Sequence, residues 1–110
     1  MTTFEVGDVV LVAFPQPGSE PTKRRPGLVL LDIGDADVVL APITTRERMG
    51  PGDVKILAWH ESGLLRESWV RLAKLACLEK RDVTRRLGRL SHADKTRVAE
   101  AWRLLFERLP

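Results

Sequence analysis

Cysteine is almost missing from this chain, and histidine nearly so: Cys77 stands alone, and His60 and His92 are the two imidazoles in 110 residues. A single cysteine excludes an internal disulfide and suits a reducing compartment. Set among Leu75, Ala76 and Leu78, it reads as a small buried filler. No His, Cys or carboxylate set has metal-ligand spacing, so neither a metal nor a cofactor is expected. Gly18, Gly50, Gly52 and Gly63 build no phosphate-cradling glycine motif. No apolar run approaches membrane-spanning length, and Glu5 and Asp8 ahead of a short apolar run are unlike a secretory signal, so a cytoplasmic protein is expected. Charge is also short of one sign: the net value of +3, with a pI near 9.5, suits an anionic partner but is spread too widely to identify one.

What is present is the material of one domain, 44% hydrophobic and 30% charged, long enough to bury a single core. Short runs rich in Val, Leu and Ile occupy 9–14, 27–32, 37–42, 54–59 and 68–74, separated by Pro, Gly, Asp and Ser. That pattern predicts a mostly β core of about five strands. Gly34-Asp35-Ala36 is the tightest turn and predicts a hairpin of the second and third strands. Residues 79–82 suit one helical turn and 84–89 a further extended piece. Ser91, with Asp94 three residues on, caps a helix in which Val98, Ala101, Trp102, Leu105 and Leu109 recur at helical spacing. That stripe should pack on the β core with Trp102 inside it; of the other tryptophans, Trp59 is the better candidate for exposure.

The longer loops, 15–24 and 45–53, carry Pro and Gly together with charge, the usual surroundings of binding residues. Lys23-Arg24-Arg25-Pro26 leads into one apolar run, and Ile43-Thr44-Thr45-Arg46 follows the next. Two successive strands can therefore deliver the Arg25 guanidinium and the Thr44 hydroxyl to one edge of a sheet, a phosphate-handling pair. Each residue alone has a simpler reading, Arg25 as a surface ion pair and Thr44 as a turn residue satisfying nearby backbone.

The order and spacing of these segments resemble the MazF/PemK family of toxin endoribonucleases over nearly the whole chain. Gly7-Asp8-Val9-Val10 opens the first strand, Arg25-Pro26 the second, and Ile43-Thr44 closes the third. Val70-Arg71 and Arg86-Leu87-Gly88-Arg89-Leu90-Ser91 fall on comparable later segments. The resemblance implies an SH3-like small barrel with a C-terminal helix, with Arg25 and Thr44 as catalytic residues. It also implies a homodimer whose subunits share a groove for single-stranded RNA, and a cognate antitoxin whose flexible acidic segment occupies that groove. Lys23, Arg24, Thr45, Arg46 and Arg48 are the expected RNA contacts, with Glu20 and Arg71 as catalytic support. Some members pair an Arg with an Asp one residue apart on a later strand and add a His in the first long loop; here Ala73 replaces the Asp and 15–22 contains no His.

RNA can be cut without metal, because its own 2′-hydroxyl can attack the neighbouring phosphorus. The enzyme then supplies orientation, proton transfer and donors aimed at the developing charge. A planar guanidinium suits the last of these and, staying protonated, suits proton shuttling less. Two rivals share the fold: a CcdB-like inhibitor of DNA gyrase that cuts nothing, and a silent SH3-like binding module.

Overall fold

The computed structural model describes residues 3–13 and 23–109. Its strands are β1 (Asp8–Ala13), β2 (Arg24–Leu31), β3 (Asp37–Thr44), β4 (Asp53–Ile56), β5 (Ser68–Arg71), β6 (Ala76–Glu79) and β7 (Val83–Arg89), followed by the helix α1 (His92–Phe106). Single 3-10 turns over Leu72–Lys74 and Lys80–Asp82 link β5 to β6 and β6 to β7. Every strand pairing is antiparallel. The sheet runs β4-β5-β3-β2-β1-β7, with β6 added on β3, so the path is open between β4 and β7. The mostly β expectation holds: β7 falls on the extended piece anticipated at 84–89 and the second 3-10 turn on that anticipated at 79–82, while β6 was not anticipated.

The predicted hairpin is present, β2 pairing β3 around a turn in which Gly34 adopts φ +92°. Just before it, the Asp32 carboxylate takes the Lys80 ammonium at 2.9 Å and the Phe4 and Gly34 N–H groups at 2.7 and 2.8 Å. The Lys80 contact first, then these two donors, hold its pKa down at about 2.

Besides its hairpin with β2, strand β3 serves two further ladders. Its first half, Asp37 to Leu40, pairs with β6, and its last two residues pair with β5, Ile43 opposite Val70 and Thr44 opposite Trp69. The changeover falls at Ala41-Pro42, where a residue without an N–H removes no ladder bond.

Alternation divides the apolar residues between the two faces. Val9, Leu28, Ala41, Ile43, Val54 and Val70 form the larger core with Val98 of α1; Val10, Val12, Val29, Val38 and Leu40 form a smaller one. The helix is fixed at its start. Ser91 accepts from the Asp94 N–H at 3.1 Å, and the Asp94 carboxylate accepts from the Leu57 and Ala58 N–H groups at 3.1 and 2.8 Å. Among the described residues no helix is long and apolar enough to cross a membrane.

Three packing expectations are corrected, the first being Leu109, which lies past the end of α1 and is exposed. Leu78 packs on the smaller core, so its neighbour Cys77 points to the other face and is exposed. Trp102 is 41% exposed, because Val98, Ala101 and Leu105 make the inward stripe and Trp102 lies at its margin.

Candidate functional site

The hairpin brings its two chemistry-bearing ends together. The β2–β3 register runs through Val29 opposite Leu40, Leu28 opposite Ala41 and Gly27 opposite Pro42. The ladder ends there, and strand alternation leaves Arg25 and Thr44, two residues further along each strand, on the same face at that end of the hairpin. On the other side of β2, Arg25 faces Val12 of β1.

Arg25 is exposed and Thr44 half-buried. The Thr44 Oγ1 accepts from the Arg46 N–H at 3.1 Å, the local turn bond anticipated for a hydroxyl in this position. Its O–H hydrogen is left to point at another acceptor.

Lys23 and Arg24 are exposed just before Arg25, as are Thr45 and Arg46 after Thr44; Arg48 is half-buried. Among the described residues none of the five cations here, Arg25 included, forms an ion pair. Among the described residues, that end of the hairpin thus gathers positive charge without ion-pair partners, with Glu47 the acidic residue in its midst.

Arg71 reaches the same face. Trp69 opposes Thr44 across β3–β5, so Arg71, two residues along, is its diagonal neighbour at about 7–8 Å. Arg71 also braces the fold, since its Nε lies 3.2 Å from Asp53 Oδ1, while Asp53 Oδ2 accepts the Gly50 N–H at 2.9 Å. This pair anchors the 45–52 loop to the sheet. Glu20, like most of the first long loop, lies outside the described residues.

The tryptophans offer little stacking surface here. Trp69 is 8% exposed, and Trp59 is partly buried with its ring edge-to-face against His60 at 4.4 Å. Sequence reasoning missed a neighbouring feature. Pro26 and Thr45, one residue beyond Arg25 and Thr44, line a groove of about 370 Å³ that also holds Arg66 and Arg85. No motif marks it, since its residues come from separate segments of the chain.

Residues 5–106 match the profile of a family described as PemK-like, MazF-like toxin of type II toxin-antitoxin system. No curated protein matches the chain in sequence. Among solved structures, the Mycobacterium tuberculosis toxin MazF-mt6 is similar with 25% identity and a TM-score of 0.75, over 91% of this chain and 96% of that one. A mycobacterial endoribonuclease in complex with its cognate antitoxin is 21% identical, with a TM-score of 0.70 and 94% of each chain covered. MazF from Deinococcus radiodurans is 23% identical, with a TM-score of 0.75, over 97% of this chain and 99% of that one.

Proposed function

Since the chain belongs to the PemK-like, MazF-like toxins of type II toxin-antitoxin systems, we propose that it is a sequence-selective, metal-independent endoribonuclease acting on single-stranded RNA in the cytoplasm. What supports this reading is that an exposed Arg25, without an ion-pair partner among the described residues, and the Thr44 hydroxyl fall at the same end of the β2–β3 hairpin, beside Lys23, Arg24 and Arg46.

In this mechanism the substrate supplies the nucleophile. The 2′-oxygen loses its proton and bonds to phosphorus, the bond from phosphorus to the 5′-oxygen breaks, and that oxygen leaves protonated. A 2′,3′-cyclic phosphate and a 5′-hydroxyl result. Arg25 holds two non-bridging oxygens in its planar fork as charge builds on them. Thr44 directs its O–H to the same phosphate, and Arg71 supports from the diagonal position while bound to Asp53. Glu20 is a candidate proton acceptor, and Lys23, Arg24, Thr45, Arg46 and Arg48 hold the flanking backbone.

Single-stranded RNA is the fitting substrate because its splayed bases can be read by loops, whereas an A-form helix hides them. We also propose a homodimer with a shared RNA groove, and competition for it by an acidic antitoxin segment. Exposed Leu75, Trp102, Phe106 and Leu109 support self-association through the α1 side.

The test is incubation with a long single-stranded RNA in EDTA, with analysis of the fragment ends. Cleavage at preferred sequences with cyclic phosphate and 5′-hydroxyl ends is expected. A strict need for added divalent ion, or 5′-phosphate ends, overturns the mechanism; gyrase trapping with RNA left intact would put the CcdB-like rival in its place.

A further inference from the structure

Asp53 keeps a charge almost entirely out of water. Its side chain is 3% exposed, and a carboxylate so placed has to be paired and hydrogen-bonded to stay ionised. Both oxygens are used, by different parts of the molecule. Oδ1 accepts from Arg71 Nε at 3.2 Å, and Oδ2 accepts from the Gly50 N–H at 2.9 Å.

Register joins this pair to Thr44. Thr44 stands opposite Trp69 of β5, and Arg71, two residues along β5 from Trp69, stands opposite Asp53 of β4. The residues between them, Ile43, Val70 and Val54, point into the larger core. Thr44, Arg71 and Asp53 therefore share the face of β3, β5 and β4 that is turned away from that core.

The turn before β4 fixes the carboxylate. Besides the bond to Oδ2, the Asp53 N–H donates to the Gly50 carbonyl at 3.1 Å, and the Leu72 N–H donates to the Gly52 carbonyl at 2.9 Å. A Cβ on Gly50 would lie 3.2 Å from Asp53 Oδ2, and one on Gly52 would lie 2.7 Å from Leu105 Cδ1, so the turn is seated with little slack.

The way Arg71 is held leaves its outer end open. The bond to Asp53 uses Nε, and among the described residues the two terminal nitrogens make no hydrogen bond. A planar guanidinium gripped at Nε has its plane set while its terminal amino groups remain available to phosphate oxygens. The carboxylate itself is too deeply buried to meet RNA.

We propose that Asp53 is a positioning residue for cleavage: fixed by the Gly50 turn, it aims the open end of Arg71 at the phosphate held by Thr44. The inference rests on the nuclease reading and adds to it a residue that touches no substrate.

The test is single-turnover cleavage of a single-stranded RNA in EDTA, at saturating protein and well below each variant's Tm. In Asp53→Asn the one amide oxygen cannot serve both the Arg71 and the Gly50 donors. Misplacing a group near the reacting atoms costs up to ~10²-fold, so Asp53→Asn and Arg71→Ala should each slow the step by about 10-fold or more. The double variant should be no slower than Arg71→Ala alone, since one acts through the other. Added guanidinium ion, far below denaturing concentration, should restore part of the rate to Arg71→Ala and none to the double variant, a difference that loss of stability alone does not produce. Glu67→Ala, which removes the exposed partner of Lys55, should leave the rate unchanged. If Asp53→Asn fails to fold, Arg71→Lys tests the same point, because an ammonium keeps the charge without the plane and should be as slow as Arg71→Ala. A wild-type rate in folded Asp53→Asn or in Arg71→Lys overturns the proposal, as do losses that multiply in the double variant. A wild-type protein that cuts no RNA is a different result and removes the nuclease reading itself.

Discussion

Replacing Asp94 with alanine should be among the most damaging single changes outside the site. The carboxylate is 1% exposed and accepts two backbone N–H groups, Leu57 at 3.1 Å and Ala58 at 2.8 Å, that have no other acceptor among the described residues. A donor left without a partner where water does not replace the carboxylate costs about 1–3 kcal/mol. Losing an acidic group in the first turn of α1 adds about 0.3–1 kcal/mol. Arg97 retains its bond to the Lys55 carbonyl and so offsets little. The sum is about 2–7 kcal/mol, read as a lower urea midpoint at constant m, with Tm falling about 4 °C per kcal/mol in a domain of this size. Asp94→Asn keeps one carbonyl acceptor and should lose about half as much. A change within about 0.5 kcal/mol for Asp94→Ala, the range of ordinary surface substitutions, would refute the idea that this carboxylate pins the helix to the turn after β4.

Arg25→Ala should lower RNA turnover ~10² to 10³-fold and Thr44→Val somewhat less, both at nearly wild-type Tm; if they act on one phosphate, the double mutant will fall well short of the product of the two effects. Wild-type rates in both folded variants would move the active site elsewhere. For Asp32, whose carboxyl is lowered from 3.8 to about 2, the linked stability is complete above the unfolded value and is lost as pH falls through the folded one. Acid titration between about pH 4 and 2 should therefore destabilise the wild type more steeply than Asp32→Asn, and parallel curves would count against that linkage. Gly63→Ala meets the Leu87 carbonyl and a left-handed backbone together; the backbone strain alone is about 1–2 kcal/mol, so a stability loss of at least that size should appear on denaturation, and an unchanged midpoint would count against that close contact.

The strands that alternate cleanly were legible in the sequence, as were the hairpin and the helix with its Ser91 cap, because local pattern decides them. β6 was not: Ala76 to Glu79 is four residues long and becomes a strand only by pairing with the first half of β3. The sequence places Arg25 and Thr44 at the same end of the β2–β3 hairpin, and their role there is a proposal that the fold alone does not test. Asp8 shows the opposite case. Next to Gly7 it looks like strand-opening punctuation, yet it is buried with Arg89 Nε at 3.1 Å, a contact across 81 positions that no window reveals. Arg71 was equally opaque, since its Asp53 partner sits on a neighbouring strand.

The placement of the three tryptophans has an optical consequence. Trp69 is sealed beneath Lys55, Trp59 leans on His60, and Trp102 stands partly in water on the margin of α1. Their emission is then a sum of unlike spectra, and a dissolved quencher such as acrylamide reaches the Trp102 component first. Any molecule that covers the helix face, a second subunit included, shields that component and shifts it to the blue without a label. The chain thus carries its own reporter for the α1 face, spectrally separate from the tryptophan opposite Thr44.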